Sequence, residues 1–343
     1  MSQMLDEIRQ QPASIERTLF AELRHAQALR ARFERERPRM VILAARGTSD
    51  NAAQFGRYLI EITTGIPVSL AAPSIFTLYE TGMHLEDALV VGISQSGQST
   101  DTNLVLERSR TLGARTIGIT NEPVSATVSI ADECFLVQAG PESSVAATKT
   151  YTGQMMALYL LAYALGADIR ISDLERIPEF VNVALRLERE VRTLAARYLE
   201  IDRAVVVGRG FNYANAQEFG LKLMETCYVV AERFSSADLL HGPIAMIDEQ
   251  FPAFLFAPSG VTWPAMSDII SRFETIGADT LVISDQSNRE VVGRTLRIAA
   301  ALPELLSPIP YIVPAQLFAA ALAVEKGLDP DQPRTLQKVT KTL

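Results

Sequence analysis

Cysteine is nearly absent: Cys134 and Cys227 each stand alone in 343 residues, which excludes a disulfide framework and a CxxC metal or redox site and fits a reducing cytoplasm. Histidine is equally scarce. His25, His84 and His241 are scattered, with no carboxylate or cysteine at ligand spacing, so no metal is expected; no cofactor is expected either. Positive charge is in deficit, with 32 Lys and Arg against 40 Asp and Glu for a net charge of −8. No basic run or aromatic-interleaved basic stripe occurs, which argues against nucleic acid as the main partner. An anionic ligand must therefore be held by local groups. Long hydrophobic stretches are missing too: no apolar signal segment follows Met1-Ser2-Gln3-Met4, and the runs Met155 to Ala167 and Tyr311 to Val324 fall short of a spanning helix. No membrane partner and a cytoplasmic location are expected.

What the chain does contain is core. Hydrophobic residues make up 48% and charged residues 21%, enough for about two domains at this length. Residues 1–37 are charged, lack glycine and place Leu19, Phe20, Leu23, Ala26, Leu29 and Phe33 near helical spacing, which predicts a helical lead-in whose charges, His25 included, face solvent. From Met40 the pattern becomes strands alternating with helices: Val41 to Ala45, Val68 to Leu70, Ala88 to Ile93, Ala114 to Ile119 and Glu133 to Val137. A helix is expected from Asn51 to Ile60. Such alternation predicts an α/β fold with a parallel sheet covered on both faces, whose ligands sit outside the carboxyl ends of the strands.

One strand end is exceptional. The uncharged run through Ile93 changes abruptly to Ser94-Gln95-Ser96-Gly97-Gln98-Ser99-Thr100, and a helix is predicted from Asp101 to Gly113. Strand, hydroxyl-rich glycine loop and helix N-terminus in this order suit an anion, and a phosphate fits. Thr48 and Ser49 close the neighbouring strand.

An internal repeat follows. Arg46 and Gln54 recur as Arg209 and Gln217, and Ser96-Gly97 as Ser259-Gly260, all offset by 163 positions, while Gln154 recurs as Gln316. A period this long indicates duplication of a whole α/β unit. The resulting domain reading is a lead-in over 1–37, a first phosphate-binding copy over 38–170, a helical linker over 171–200, a second copy over 201–327 and a tail over 328–343. The copies diverge where chemistry belongs. Ala257-Pro258-Ser259-Gly260-Val261 has lost most of the hydroxyls, whereas the second copy gains Lys222 and Glu225, three apart on one helix face, and His241-Gly242-Pro243 beyond it. Taken singly, the first two also read as a surface pair, His241 as a turn cap, and Asp331 to Lys338 as a solvated end.

Six motifs in order change that weighing: Gly47-Thr48-Ser49, Ser94-Gln95-Ser96-Gly97, Val145-Ala146-Ala147-Thr148-Lys149, Lys222-Leu223-Met224-Glu225, His241-Gly242-Pro243 and Asp331-Gln332-Pro333-Arg334 with Lys338. The chain resembles the double sugar-isomerase (SIS) domain family, the isomerase half of glucosamine-6-phosphate synthase, from about residue 40 onward. Gly140-Pro141-Glu142 with Ser144 to Lys149, and Ser96-Gly97-Gln98-Ser99, are most similar to stand-alone SIS-type glucosamine-6-phosphate deaminases. Met224 and Leu240 stand where the synthase pattern has lysines. With no glutaminase cysteine near Met1-Ser2, glutamine hydrolysis within the chain is not expected.

The resemblance implies two tandem three-layer α/β/α domains of flavodoxin- or Rossmann-like type and a sugar-phosphate isomerase or deaminase converting glucosamine 6-phosphate and water to fructose 6-phosphate and ammonia. By resemblance, Ser94, Gln95, Ser96 and Ser99 hold the phosphate, with Thr48 and Ser49 beside them and Val145 lining the sugar. His241 assists ring opening, and Glu225 moves a proton between C2 and C1. Lys222 supplies positive charge or a proton, and Lys338 closes over the sugar, with a Schiff base as one route. A homodimer with composite sites is implied, in which His241 comes from either subunit. The alternatives are a fructosamine-6-phosphate deglycase, a galactosamine-6-phosphate deaminase or a glutaminase-less synthase-like isomerase, and, in another class, a non-catalytic sugar-phosphate sensor.

Overall fold

The computed structural model describes residues 2–79, 81–291 and 293–338. Runs rich in Val, Ile and Ala form two five-stranded parallel sheets. The first contains β1 (Met40–Ala44), β2 (Val68–Leu70), β3 (Ala88–Ser94), β4 (Arg115–Thr120) and β5 (Glu133–Leu136), in the order β2-β1-β3-β4-β5. The second contains β6 (Arg203–Gly208), β7 (Val230–Ser235), β8 (Pro252–Phe256), β9 (Asp279–Asp285) and β10 (Thr295–Ile298), in the order β10-β9-β8-β6-β7. Read from its β7 edge, the second sheet repeats the order of the first, so the duplication holds at the level of topology. All seven residues of β3 are buried, the pattern of a strand covered on both faces. In each sheet the chain order reverses beside one strand pair, β1 and β3 or β6 and β8. The carboxyl ends of those pairs open the crevice where doubly wound sheets bind ligands.

The chain forms two compact units that are interleaved in sequence. The first-sheet unit comprises Ala13–Glu142, Lys149–Glu175 and the tail from Leu336. The second-sheet unit comprises the residues up to Pro12, Ser143–Thr148 and Arg176–Thr335. The tail read from the sequence runs to Leu343, and 339–343 lie outside the described residues.

Close helix packing sets the first-sheet core. Phe55 on helix Thr48–Thr64 meets Tyr159 on helix Lys149–Ala164 edge to face at 5.1 Å, and Gly56 leaves no room for a Cβ, which would fall 2.8 Å from Leu158 Cδ2. In the second-sheet unit Phe219, Phe254, Phe318 and Tyr198 form a tilted and edge-to-face cluster with centroids 5.1–5.8 Å apart. Each such pair contributes about 0.5–1.5 kcal/mol beyond its buried area. Phe318 lies on helix Pro308–Glu325, which corrects the sequence reading of Tyr311 to Val324. With flanking residues included, the helix is long and apolar enough to cross a membrane by length and composition, and 83% of that window is buried in the fold. Both thiols are pushed up to about 11 by burial.

Two features of the lead-in differ from expectation. It breaks into helices Gln3–Arg9 and Gln11–Phe33. His25 is also no solvated residue: its side chain is 26% exposed, lies 3.3 Å from both Glu22 and Glu133, and packs on Phe135 at 4.8 Å. The hydrogen bond to Glu22 outweighs burial and holds the imidazole above its ordinary value. A raised folded value stabilises the protein most below the unfolded value, and that stability is lost as pH rises through the folded one. His25→Gln should therefore cost about 0.5–1 kcal/mol below about pH 6.5 and progressively less as pH rises, measured by chemical denaturation at several pH values. A cost independent of pH would contradict the pairing.

Candidate active site

In the first-sheet unit, adjacent strands β1 and β3 each lead into a helix whose N-terminal residue makes no side-chain cap bond. Gly47, at φ 58°, starts helix Thr48–Thr64, and Ser99 starts helix Thr100–Thr111. The first of these helices begins three residues earlier than expected, so Thr48 and Ser49 lie in its opening turn. Ser49 is buried and its Oγ accepts from Gln154 Nε2 at 3.0 Å, which commits that hydroxyl within the fold. Thr48 is half-buried.

The loop between β3 and the second helix is held by its own backbone and by neighbours. The Gly97 carbonyl accepts from Thr127 N, Thr127 Oγ1 and Asn103 Nδ2 at 3.1–3.2 Å. Gly97 is at φ 62°, and a Cβ there would fall 2.3 Å from Ser125 Oγ. Gln95 O accepts from Asn121 N at 3.1 Å. Ser94 is buried, Gln95, Ser96 and Ser99 are half-buried, and Ser99 Oγ meets Thr102 Oγ1 at 3.1 Å. Hydroxyls and helix-terminal amides are thus gathered on a fixed loop at the sheet's switch point, an arrangement suited to an anion. Arg46, at the end of β1, donates to the buried carboxylate of Asp101 from Nε at 2.9 Å and Nη2 at 2.7 Å.

The second-sheet unit carries the other set. Lys222 on helix Tyr213–Cys227 is fully buried, so it is not one half of a surface pair. Its Nζ lies 2.5 Å from Glu225 Oε2 and 3.3 Å from Glu218 Oε1. Burial alone would lower the ammonium's pKa, but the two carboxylates outweigh it and hold the value well above that of ordinary lysine. Glu218 is fully buried, whereas the Glu225 side chain keeps 23% exposure. The cation thus fixes a carboxylate that solvent can still reach. His241 is exposed at the C-cap of helix Ser236–Leu240.

Val145 belongs to the same unit, where its N–H donates to Asp331 O at 3.0 Å. Asp331 is no solvated end: its carboxylate accepts from Gln3 N and Met4 N at 2.7 Å, capping helix Gln3–Arg9. Arg334 stacks over Tyr228 at 4.1 Å. Lys338 lies in the first-sheet unit, with Nζ 2.9 Å from Glu142 Oε2. Glu142 is buried and also accepts from Thr150 N at 3.1 Å and Thr150 Oγ1 at 2.7 Å. The first-sheet unit therefore holds the serine loop with Thr48 and Ser49 and, in addition, Lys338 on Glu142, and the second-sheet unit holds Lys222 with Glu225, Val145 and His241. Among the described residues no group of three or more His, Cys, Asp or Glu could hold a metal ion.

The SIS domain model matches residues 36–164 and 198–326. The chain belongs to the SIS domain family. A glutamine–fructose-6-phosphate aminotransferase (isomerizing) from Pyrococcus horikoshii is 36% identical over 345 residues, 98% of this chain, and the chain spans 57% of that protein's length. The C-terminal domain of glucosamine-fructose-6-phosphate aminotransferase from Francisella tularensis superposes with a TM-score of 0.90 at 28% identity, over 97% of this chain and 98% of that one. Glucosamine-6-phosphate deaminase from Thermotoga maritima shares the fold, with a TM-score of 0.78 at 21% identity over 99% of this chain and 100% of that one.

The serine loop closes β3 of the first SIS domain, and the Lys222 cluster lies on the first helix of the second. Sequence reasoning missed Glu218, Glu142 and Gln154 as partners. Glu218 stands one helical turn before Lys222, a spacing that could have revealed it. Removing a buried charge while its partners stay leaves them unpaired. Lys222→Met should cost about 3–5 kcal/mol in denaturant unfolding, and Glu218→Gln added to it should recover part of the loss. Equal stability of Lys222→Met and the wild type would contradict the pairing of a buried lysine with both glutamates.

Proposed function

We propose that this SIS protein isomerises and deaminates an amino-sugar phosphate, converting glucosamine 6-phosphate and water to fructose 6-phosphate and ammonia. One observation carries the reading: a buried ammonium, Lys222, pins the partly exposed carboxylate of Glu225 in the second SIS domain. A sugar isomerase needs such a base, held in place and open to substrate. The hydroxyl-rich loop of the first domain supports a phosphate as the remote handle. Ser94, Gln95, Ser96 and Ser99 hold it, with Thr48 beside them, and binding there fixes C1 and C2 for proton transfer. Ser49, tied to Gln154, supports this loop's neighbour strand end from within.

His241 acts as acid and base in opening the sugar ring. Glu225 then takes the proton from C2, and protonation of the C1 oxygen gives an enolamine. Return of a proton to C1 yields the 2-imino sugar. Water adds at C2, and ammonia leaves as the C2 carbonyl forms. Lys222 contributes positive charge near the developing oxyanion, Val145 lines the sugar, and Lys338 closes over it from its place on Glu142. A homodimer with composite sites is part of the proposal, with His241 from either subunit.

Purified protein incubated with glucosamine 6-phosphate should release fructose 6-phosphate and ammonia in equal amounts. Glu225→Gln should lower kcat at least about 100-fold. No turnover by the wild type, or equal turnover by the variant, would overturn the mechanism.

A further inference from the structure

Each SIS domain carries a Pro-Glu pair just before its long buried helix. Glu304 follows Glu142 by 162 positions, the offset at which Gln316 follows Gln154. The two glutamates do different things. In the second domain the loop Ala257 to Val261 follows β8 as the serine loop follows β3, and leads to helix Trp263–Ile276. Glu304 sits on that loop. Its Oε1 accepts from Thr262 Oγ1 at 2.6 Å, and its Oε2 lies 3.4 Å from Thr262 N at the helix start. The carboxylate packs directly on the Gly260 backbone, so that a Cβ there would fall 2.3 Å from Glu304 Oε2. Gly210, the counterpart of Gly47 and also at positive φ, lies beside it, its own Cβ position 3.8 Å from Glu304 Oε1.

The second domain thus keeps an anion at the place where the first presents its loop, and the anion is its own side chain. In the first domain Glu142 is engaged elsewhere, by Thr150 N, Thr150 Oγ1 and Lys338 Nζ. We infer that the Pro-Glu glutamate decides which domain accepts a phosphate. Glu304 fills the second anion site with its carboxylate, and Glu142, turned to Lys338 and Thr150, leaves the first to a phosphomonoester. Each chain then binds one phosphate despite carrying two copies of the fold. Charge reinforces the closure, because a dianion entering beside Glu304 meets a like charge at contact distance.

The inference deepens the proposed function and rests on it for the first loop only. Binding of inorganic phosphate, counted by equilibrium dialysis, tests both parts. The wild type should bind one phosphate per chain, and a variant with Ser94, Ser96 and Ser99 all changed to Ala should bind none. Glu304→Ala should add one site to each, giving two and one. A triple-serine variant that still binds one phosphate overturns the inference without any change at Glu304. So does a folded Glu304→Ala chain, checked by circular dichroism, that gains no site. If the wild type binds none while Glu304→Ala binds one, the first-loop reading fails and the inference about Glu304 stands.

Discussion

A parallel sheet covered on both faces has only its carboxyl edge to offer a ligand, and that constraint governs both halves of this chain. Strands as thoroughly buried as β3 cannot present side chains to solvent along their length, so polar groups collect where the strands stop. At the β1 and β3 ends the stop is marked by glycines at positive φ, Gly47 and Gly97. These turn the chain sharply into helices and leave their opening turns facing the crevice. The Gly97 carbonyl, fixed by Asn103 and Thr127, keeps the serine loop in one shape.

Duplication gave the chain two such edges, and the ionic groups make them unequal. One helix of the second copy buries Lys222 between Glu218 and Glu225, and burying that charge costs desolvation that apolar residues of similar size would not. On helix Thr48–Thr64 of the first copy, Ser49 is instead buried against Gln154. The same asymmetry appears in the Pro-Glu pairs, one glutamate closing its loop and the other fastening the tail lysine.

Much of the fold was legible in the sequence, since uncharged β-branched runs alternating with helical spacing leave few options beyond a covered parallel sheet. The 163-residue offset foretold the shared topology. Boundaries were less legible: helix Thr48–Thr64 starts at Thr48 because Gly47 turns the backbone there, something spacing alone does not show. The candidate site was visible as residue types but not as partnerships. Ser49 with Gln154, His25 with Glu133 and Lys338 with Glu142 join residues about 100 to 200 positions apart, and no local pattern encodes such pairs. Lys222 illustrates the limit from the other side. Its i,i+3 spacing to Glu225 was plain, yet only the tertiary fold reveals that the lysine is buried and that the pair has a third member.

The central claim is that a carboxylate on the second copy moves a proton from C2 of a phosphorylated amino sugar. Glucosamine 6-phosphate carrying deuterium at C2 tests it most directly, with turnover followed by NMR. Slower conversion than for the unlabelled sugar, with deuterium appearing at C1 of fructose 6-phosphate or in the solvent, is the predicted result. Ammonia released with deuterium kept at C2 of an aldose product, as direct displacement of the amine by water would give, would contradict it.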